Sequence, residues 1–245
     1  MLQRHLDKLF NHRLIYTPLA SYAGLGAVGI GAYGLIFLGV SPLWLLATLV
    51  FTFVILMGVT VGMHRLFCHM SFRTNHFWEY LLAYVGTLAM YGSTVQWCAM
   101  HTSHHRYADT EKDPHYTGWR YLFWKKNRKT EFNKKVLVRL YRQPLHRFLH
   151  RYYTLVIALT CLFLFIISPW ALVFCYLIPL FWLHFVGSFH QVFAHGSKGP
   201  RNLPIMEALM FTGGEWLHRQ HHDSPKSIRF GSLDAGFFFI RLISV

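Results

Sequence analysis

From Leu14 to Met63 this 245-residue chain carries no Asp, Glu, Lys or Arg, and no other feature narrows its possible folds so much. A bilayer core of roughly 30 Å takes about 20 helical residues. A run of 50 is therefore too long for one crossing and suited to two, with Ser41-Pro42 as the turn. Helices are expected at about 18–39 and 43–63. A second charge-free run, Tyr152 to Ser197, is divided by Ser168-Pro169-Trp170. It predicts helices at about 152–167 and 171–190, the first of them short and beginning a few residues earlier. The first apolar stretch is too long for a signal-peptide core and reads as an uncleaved anchor.

Composition agrees. Hydrophobic residues make up 53% and charged ones 14% of the chain, against about a quarter charged in soluble domains, and the mean hydropathy is +0.29. Disorder and a freely soluble domain are both excluded. The net charge of +14 could point to nucleic acid, so its location decides. Of 24 Lys and Arg, three precede the first apolar run, 15 lie between the two runs and six follow the second, with none in either hairpin turn. Cytoplasmic loops hold such an excess. The expectation is an all-α membrane protein, a single domain over 1–245. Four transmembrane helices form two hairpins (about 18–63 and 152–190), and a cytosolic helical cap (about 64–151 and 191–245) faces the anionic leaflet. The membrane is the bacterial inner membrane or the endoplasmic reticulum, and no nucleic-acid partner is needed.

Two apolar features are set aside. Gly24-Leu25-Gly26-Ala27-Val28-Gly29 matches the dinucleotide fingerprint, yet no strand precedes it, and glycines in a membrane helix usually serve close packing. The stretch Phe77 to Trp97 carries Glu79 and polar residues and reads as an interfacial or partly re-entrant helix. Cys68, Cys98, Cys161 and Cys175 form no Cys-x-x-Cys pair and read as small buried hydrophobes.

The chemistry lies in the 17 histidines. They include His64 and His69, then His101-Thr102-Ser103-His104-His105, then His218-Arg219-Gln220-His221-His222. On a helix, positions i, i+3 and i+4 fall within about 100° of arc, so each triplet aims three imidazoles from one face. His64 and His69 are about 140° apart on an ideal α-helix and can face one centre only if the helix distorts or ends there. Eight neutral imidazoles gathered together need partners for their ring nitrogens, and metal supplies them. Eight donors exceed the needs of one zinc, so two ions are implied. Redox-active iron fits best, because a hydrolytic zinc pair would bring bridging carboxylates. Asp109, Asp113, Glu215 and Asp223 are placed to accept the outer N–H of ligating rings. His5, His12, His76, His146 and His150 read as interfacial or solvated, His184 and His190 as satisfied by neighbours, and His115 stays open.

Together these boxes resemble the membrane fatty acid desaturases, in the branch of acyl-CoA and acyl-lipid delta-9 enzymes. The first box is Gly62-Met63-His64-Arg65-Leu66 with His69. The second runs from Trp97 through His101–His105 to Asp109, Asp113, Pro114 and His115. The third is Gly214-Glu215, His218–His222 and Pro225. The resemblance adds a ninth ligand, His195, in Gln191-Val192-Phe193-Ala194-His195, and places Gln191 where the family's Asn reaches iron through water. Trp216 and Arg219 replace the usual Gly and Asn, and Trp216 is expected to narrow the acyl tunnel. Ala99 and Met100 stand where animal acyl-CoA enzymes have Arg and Asp, which tilts the carrier from a CoA thioester toward a lipid-linked chain.

The resemblance implies dioxygen-dependent insertion of a cis double bond into a fatty acyl chain at two Fe2+ ions. No side chain serves as nucleophile or catalytic group beyond the metal ligands. Two electrons come from outside, from a ferredoxin or a b-type cytochrome. The run Lys125-Lys126-Asn127-Arg128-Lys129 with Lys134 and Lys135 could guide such a donor, but anionic lipid is the favoured partner for it. Two rivals remain: a membrane hydroxylase of lipids or alkanes, and a haem or metal-binding carrier, which would place histidines or acids at mid-membrane.

Overall fold

The computed structural model describes residues 2–110, 112–114, 132–196 and 199–245, with side chains from Thr17 onward. His115 and Lys125–Lys129 lie outside the described residues, as do the side chains of His5 and His12. Described residues form helices without named strands. These are α1 (Leu2–Phe37), α2 (Leu43–Met57), which runs on as a π-helix (Gly58–Cys68), α3 (His76–Leu88), α4 (Thr94–Tyr107), α5 (Lys134–Tyr141), α6 (Pro144–Arg151), α7 (Tyr153–Ile167), α8 (Pro169–Leu172), a π-helical turn (Val173–Leu177), α9 (Ile178–Phe193), α10 (Pro204–Met210), α11 (His218–Asp223) and α12 (Ala235–Ile243).

Three helical stretches are long and apolar enough to cross a membrane: Thr17–Phe37, Leu43–Cys68 and Pro169–Phe193. A fourth is reached only by joining α6 to α7, which meet at 74°. The short helix therefore begins at Tyr153 and does not extend backward as expected. At 15 residues it is about 22 Å long at 1.5 Å per residue, and the preceding Pro144-started segment turns aside with its own amphipathic pattern. Ser168, whose side chain accepts from Trp170 N at 3.1 Å, starts α8 with Pro169 at its first position, as the sequence break foretold.

α1 packs along α9, and α2 packs against α9 and the Val173–Leu177 turn. Gly24 permits the first contact: a Cβ there would stand 2.8 Å from Leu177 O and 2.9 Å from Phe181 N. The glycine-rich stretch is thus helix, and Gly24 serves packing, whereas Gly26 and Gly29 have open space beside them.

Phe77 to Trp97 is not one helix. α3 ends at Leu88, the chain turns through Met90 and Gly92 at positive φ, and a capping box of Ser93 and Gln96 starts α4. At 13 residues α3 is too short to span. It crosses the π-helix where Gly58 and Gly86 meet, a Cβ on Gly58 falling 2.6 Å from Gly86 N. Cys68, Cys98 and Cys175 are buried and Cys161 partly so, as small hydrophobes. His146 and His150, expected near solvent, are buried instead: His146 packs edge-on against Phe67 and His150 bonds Ser93 Oγ at 2.6 Å. Their helix turns this face toward α3 and α4, leaving Arg147 and Phe148 outward.

Candidate metal centre

The π-helix resolves the awkward spacing of the first box. Its hydrogen bonds run from residue i to i+5, as His69 N to His64 O does at 3.0 Å. The wider turn carries His69 round to the side of His64, their rings 4.9 Å apart. Arg139 of α5 fixes the end of this turn by donating to Phe67 O at 2.6 Å and contacting Met70 Sδ.

Nine histidines converge in two groups. His64, His69, His101, His105 and His221 form the first, and His104, His195, His218 and His222 the second; within each, one ring nitrogen per residue lies within 4.8 Å of all the others. The face-to-face Nε2 separations are 3.0 Å for His64–His221, 3.1 Å for His69–His101, 3.0 Å for His101–His105 and 2.8 Å for His105–His221. In the second group they are 3.2 Å for His104–His222, 2.8 Å for His195–His218 and 3.1 Å for His218–His222.

These spacings fit ions. Two nitrogens about 2.1 Å from one metal and at right angles to each other lie about 3.0 Å apart. At three of the nine rings the outer nitrogen has a carboxylate partner of its own, which turns the inner nitrogen into an acceptor. Nδ1–H of His64 donates to Glu215 Oε1 (2.9 Å), that of His104 to Asp113 Oδ1 (2.8 Å) and that of His195 to Asp109 Oδ1 (3.0 Å). Each carboxylate thereby leaves an Nε2 lone pair facing inward. Protonation is resisted too. Burial and neighbouring histidines hold His69 and His195 down at about 2 and His222 at about 3, and push His101, His105, His218 and His221 well below the ordinary value. Glu215 sits at about 2: burial opposes its charge, but His64, Arg65 and Thr60 outweigh it.

The other candidates fall as follows. Asp223 is exposed at the end of α11 and is bonded to none of the described histidines. Gln191 lines a cavity next to His190 and His195. His184 donates to Ala89 O and His190 to Glu215 O, so both are satisfied by neighbours, while His76 is exposed and pairs with Glu79. Trp216 does not line the cavity; it is fully buried with its ring against His190, because the loop before α11 turns it inward.

Sequence reasoning missed two buried acids. Glu207 of α10 accepts from Thr212 Oγ1, Gly214 N and Trp216 N and so shapes the loop that carries Glu215. Asp234 accepts from Arg65 at 3.0 Å, from Phe230 N and from Phe237 N, and Arg65 also donates to Gly213 O and Ile228 O. Both acids lie outside the boxes; only their rarity in an apolar chain set them apart.

The cavity, of about 380 Å³, touches both groups through His64, His101, His104, His195 and His218. Its other end lies among Leu49, Phe53, Trp182, Leu209 and Phe211, all exposed and apolar. None of its described lining residues is Lys or Arg.

Comparison with known proteins agrees with this geometry. The profile of the family described as Fatty acid desaturase matches residues 39–235. A sn-1 stearoyl-lipid 9-desaturase of Anabaena variabilis is 26% identical over 77% of this chain and 76% of its own length. A sn-2 palmitoyl-lipid 9-desaturase of Nostoc sp. (strain 36) is 29% identical over 76% and 73%. An Acyl-CoA Delta(11) desaturase of Trichoplusia ni is 28% identical over 92% and 71%.

Proposed function

The chain belongs to the fatty acid desaturase family, an enzyme family of oxidoreductases, and from that premise we propose that it inserts a cis double bond at the delta-9 position of a saturated, lipid-linked acyl chain. The metal would be a pair of irons, one held by His64, His69, His101, His105 and His221, the other by His104, His195, His218 and His222. Bound there, two irons would supply the one-electron chemistry that removes hydrogens from two adjacent methylenes while dioxygen is reduced to water.

The protein's own residues hold and shield. Glu215, Asp113 and Asp109 keep the Nδ1 protons of His64, His104 and His195, and Trp97 stacks on His101 with ring centroids 4.7 Å apart. Gln191, beside His195 on the cavity wall, is assigned to reach its metal through a water. In this reading four spans in two hairpins carry a cap on the cytoplasmic side.

One observation carries the reading: the apolar cavity that joins both histidine groups to exposed apolar side chains. Such a passage admits a methylene chain and excludes water from the histidines. Its mouth, flanked by Phe53 and Phe211 with ring centroids 6.5 Å apart, has no cation among its described lining residues for the phosphates of a CoA thioester, which supports a chain arriving from the bilayer. Delta-9 rests on the likeness of the boxes and on the two relatives named as 9-desaturases.

Expression in a host with a known fatty-acid profile tests this. A new cis-monounsaturated acid is expected, lost in His104→Ala. A hydroxylated acid in its place would mark a hydroxylase, and an unchanged profile in the variant would remove the site from the reaction.

A further inference from the structure

His69 differs from the other eight histidines in what lies behind it. His64 and His101 of the same group face the acyl cavity, whereas His69 lines a separate cleft of about 850 Å³ on another side of the group. The walls of that cleft include Lys135, Arg139, Lys226, Ser224 and Met70. Lys135 and Lys226 are exposed, and no Asp or Glu is among the described lining residues. Met70, at a φ of 53°, is turned outward directly after His69 and is 58% exposed. A metal ligand thus forms part of the wall of a positively charged cleft, separated from the site by its own imidazole.

The proposed reaction needs such a route. R–CH2–CH2–R′ with O2, two electrons and two protons gives R–CH=CH–R′ and two waters, so two electrons enter per turnover. We infer that this cleft is the docking site of an acidic one-electron carrier protein, which delivers its electrons through the His69 imidazole. Each carrier molecule is oxidised by one electron and one ferric ion is reduced to ferrous, twice per turnover. The inference rests on the desaturase reading. Arg139 is tied to Phe67 O and Met70 Sδ, so Lys135 and Lys226 are the cations free to meet a partner's carboxylates. Complementary charge chiefly raises the encounter rate, and salt weakens it. Anionic lipid is the alternative partner, but Met70 is the one exposed apolar side chain among the described residues that line this cleft, whereas Leu49, Phe53, Trp182, Leu209 and Phe211 line the other cavity.

The test compares the iron-loaded wild type with Lys135→Glu/Lys226→Glu, using two acidic probes, a plant-type ferredoxin and the soluble domain of a b-type cytochrome. Binding is measured by titration in neutral detergent, and reduction by the loss of ferric absorbance. At least one probe should bind the wild type, more weakly as salt rises, and the variant should lose about tenfold or more in affinity and reduction rate. Reduction by photoreduced deazaflavin, which needs no docking, should be equal in both. Failure of both probes, or equal binding and reduction in the variant, overturns the inference. So does a variant defect confined to sedimentation with phosphatidylglycerol vesicles. If electrons enter in this salt-sensitive way but no double bond forms, the desaturase reading falls and the docking site stands.

Discussion

Asp234→Asn removes one buried charge and little volume, which isolates what the Arg65–Asp234 pair contributes. Both side chains are 0% exposed. Arg65 is held by Asp234 at 3.0 Å, by Gly213 O at 2.7 Å and by Ile228 O at 3.2 Å, with its guanidinium 4.0 Å from the centre of the Phe230 ring. Removing one partner leaves the other charge uncompensated out of water, at a cost of about 3–5 kcal/mol. A chain of this size shifts about 2–4 °C in Tm per kcal/mol, so the variant should melt roughly 6–20 °C lower. Tryptophan fluorescence in detergent at one fixed scan rate reads this, since such unfolding is seldom reversible. The double variant Arg65→Met/Asp234→Asn leaves no lone charge and should melt above either single variant. A single variant within about 3 °C of wild type, or a double variant below both singles, would refute the argument.

Three more outcomes are expected. Gly58→Leu drives a side chain into the Gly86 backbone and should leave less than half the wild-type iron per chain, whereas Gly29→Ala, facing open space, should change neither iron nor yield; equal iron content in both would contradict the crossing described above. Asp113→Ala frees the Nδ1 proton of His104 and should weaken metal retention or turnover about 10–100-fold, read by iron analysis after dialysis against a chelator. Iron-free protein should lose stability as pH falls below about 6.5: the unfolded chain then takes up protons that the buried histidines, held at about 2 to 3 or lower, refuse, at up to about 1.4 kcal/mol per pH unit for each group. A flat Tm from pH 8 to pH 5 would show that those rings are not kept neutral by the fold.

Much of the architecture could be read from where charge is missing, because a bilayer tolerates few charges and the gaps at Ser41-Pro42 and Ser168-Pro169 mark their own turns. The three histidine boxes were equally open to reading, as a chemical pattern needs no knowledge of packing. The π-helix was not: it shifts hydrogen bonds by one residue and has no compositional mark, so the spacing of His64 and His69 posed the problem without its answer. Neither was the bend before Tyr153, where α6 follows its amphipathic face rather than the apolar run. The roles of Glu207 and Asp234 depend on loops that meet helices far away in sequence, Arg65 and Asp234 being 169 positions apart. Trp216 was misread because substitution in a motif gives a side chain's size and not its direction.

The two histidine groups draw on the chain unequally. Four of the five donors of the first lie between positions 64 and 105, and only His221 comes late; in the second, His104 is early and His195, His218 and His222 are late. A nascent polypeptide that has emerged as far as Tyr107 already holds four of the five histidines of the first group and one of the four of the second. Neither group is complete until α11 has folded back onto α4, but at that earlier length the first lacks one histidine and the second most of its set.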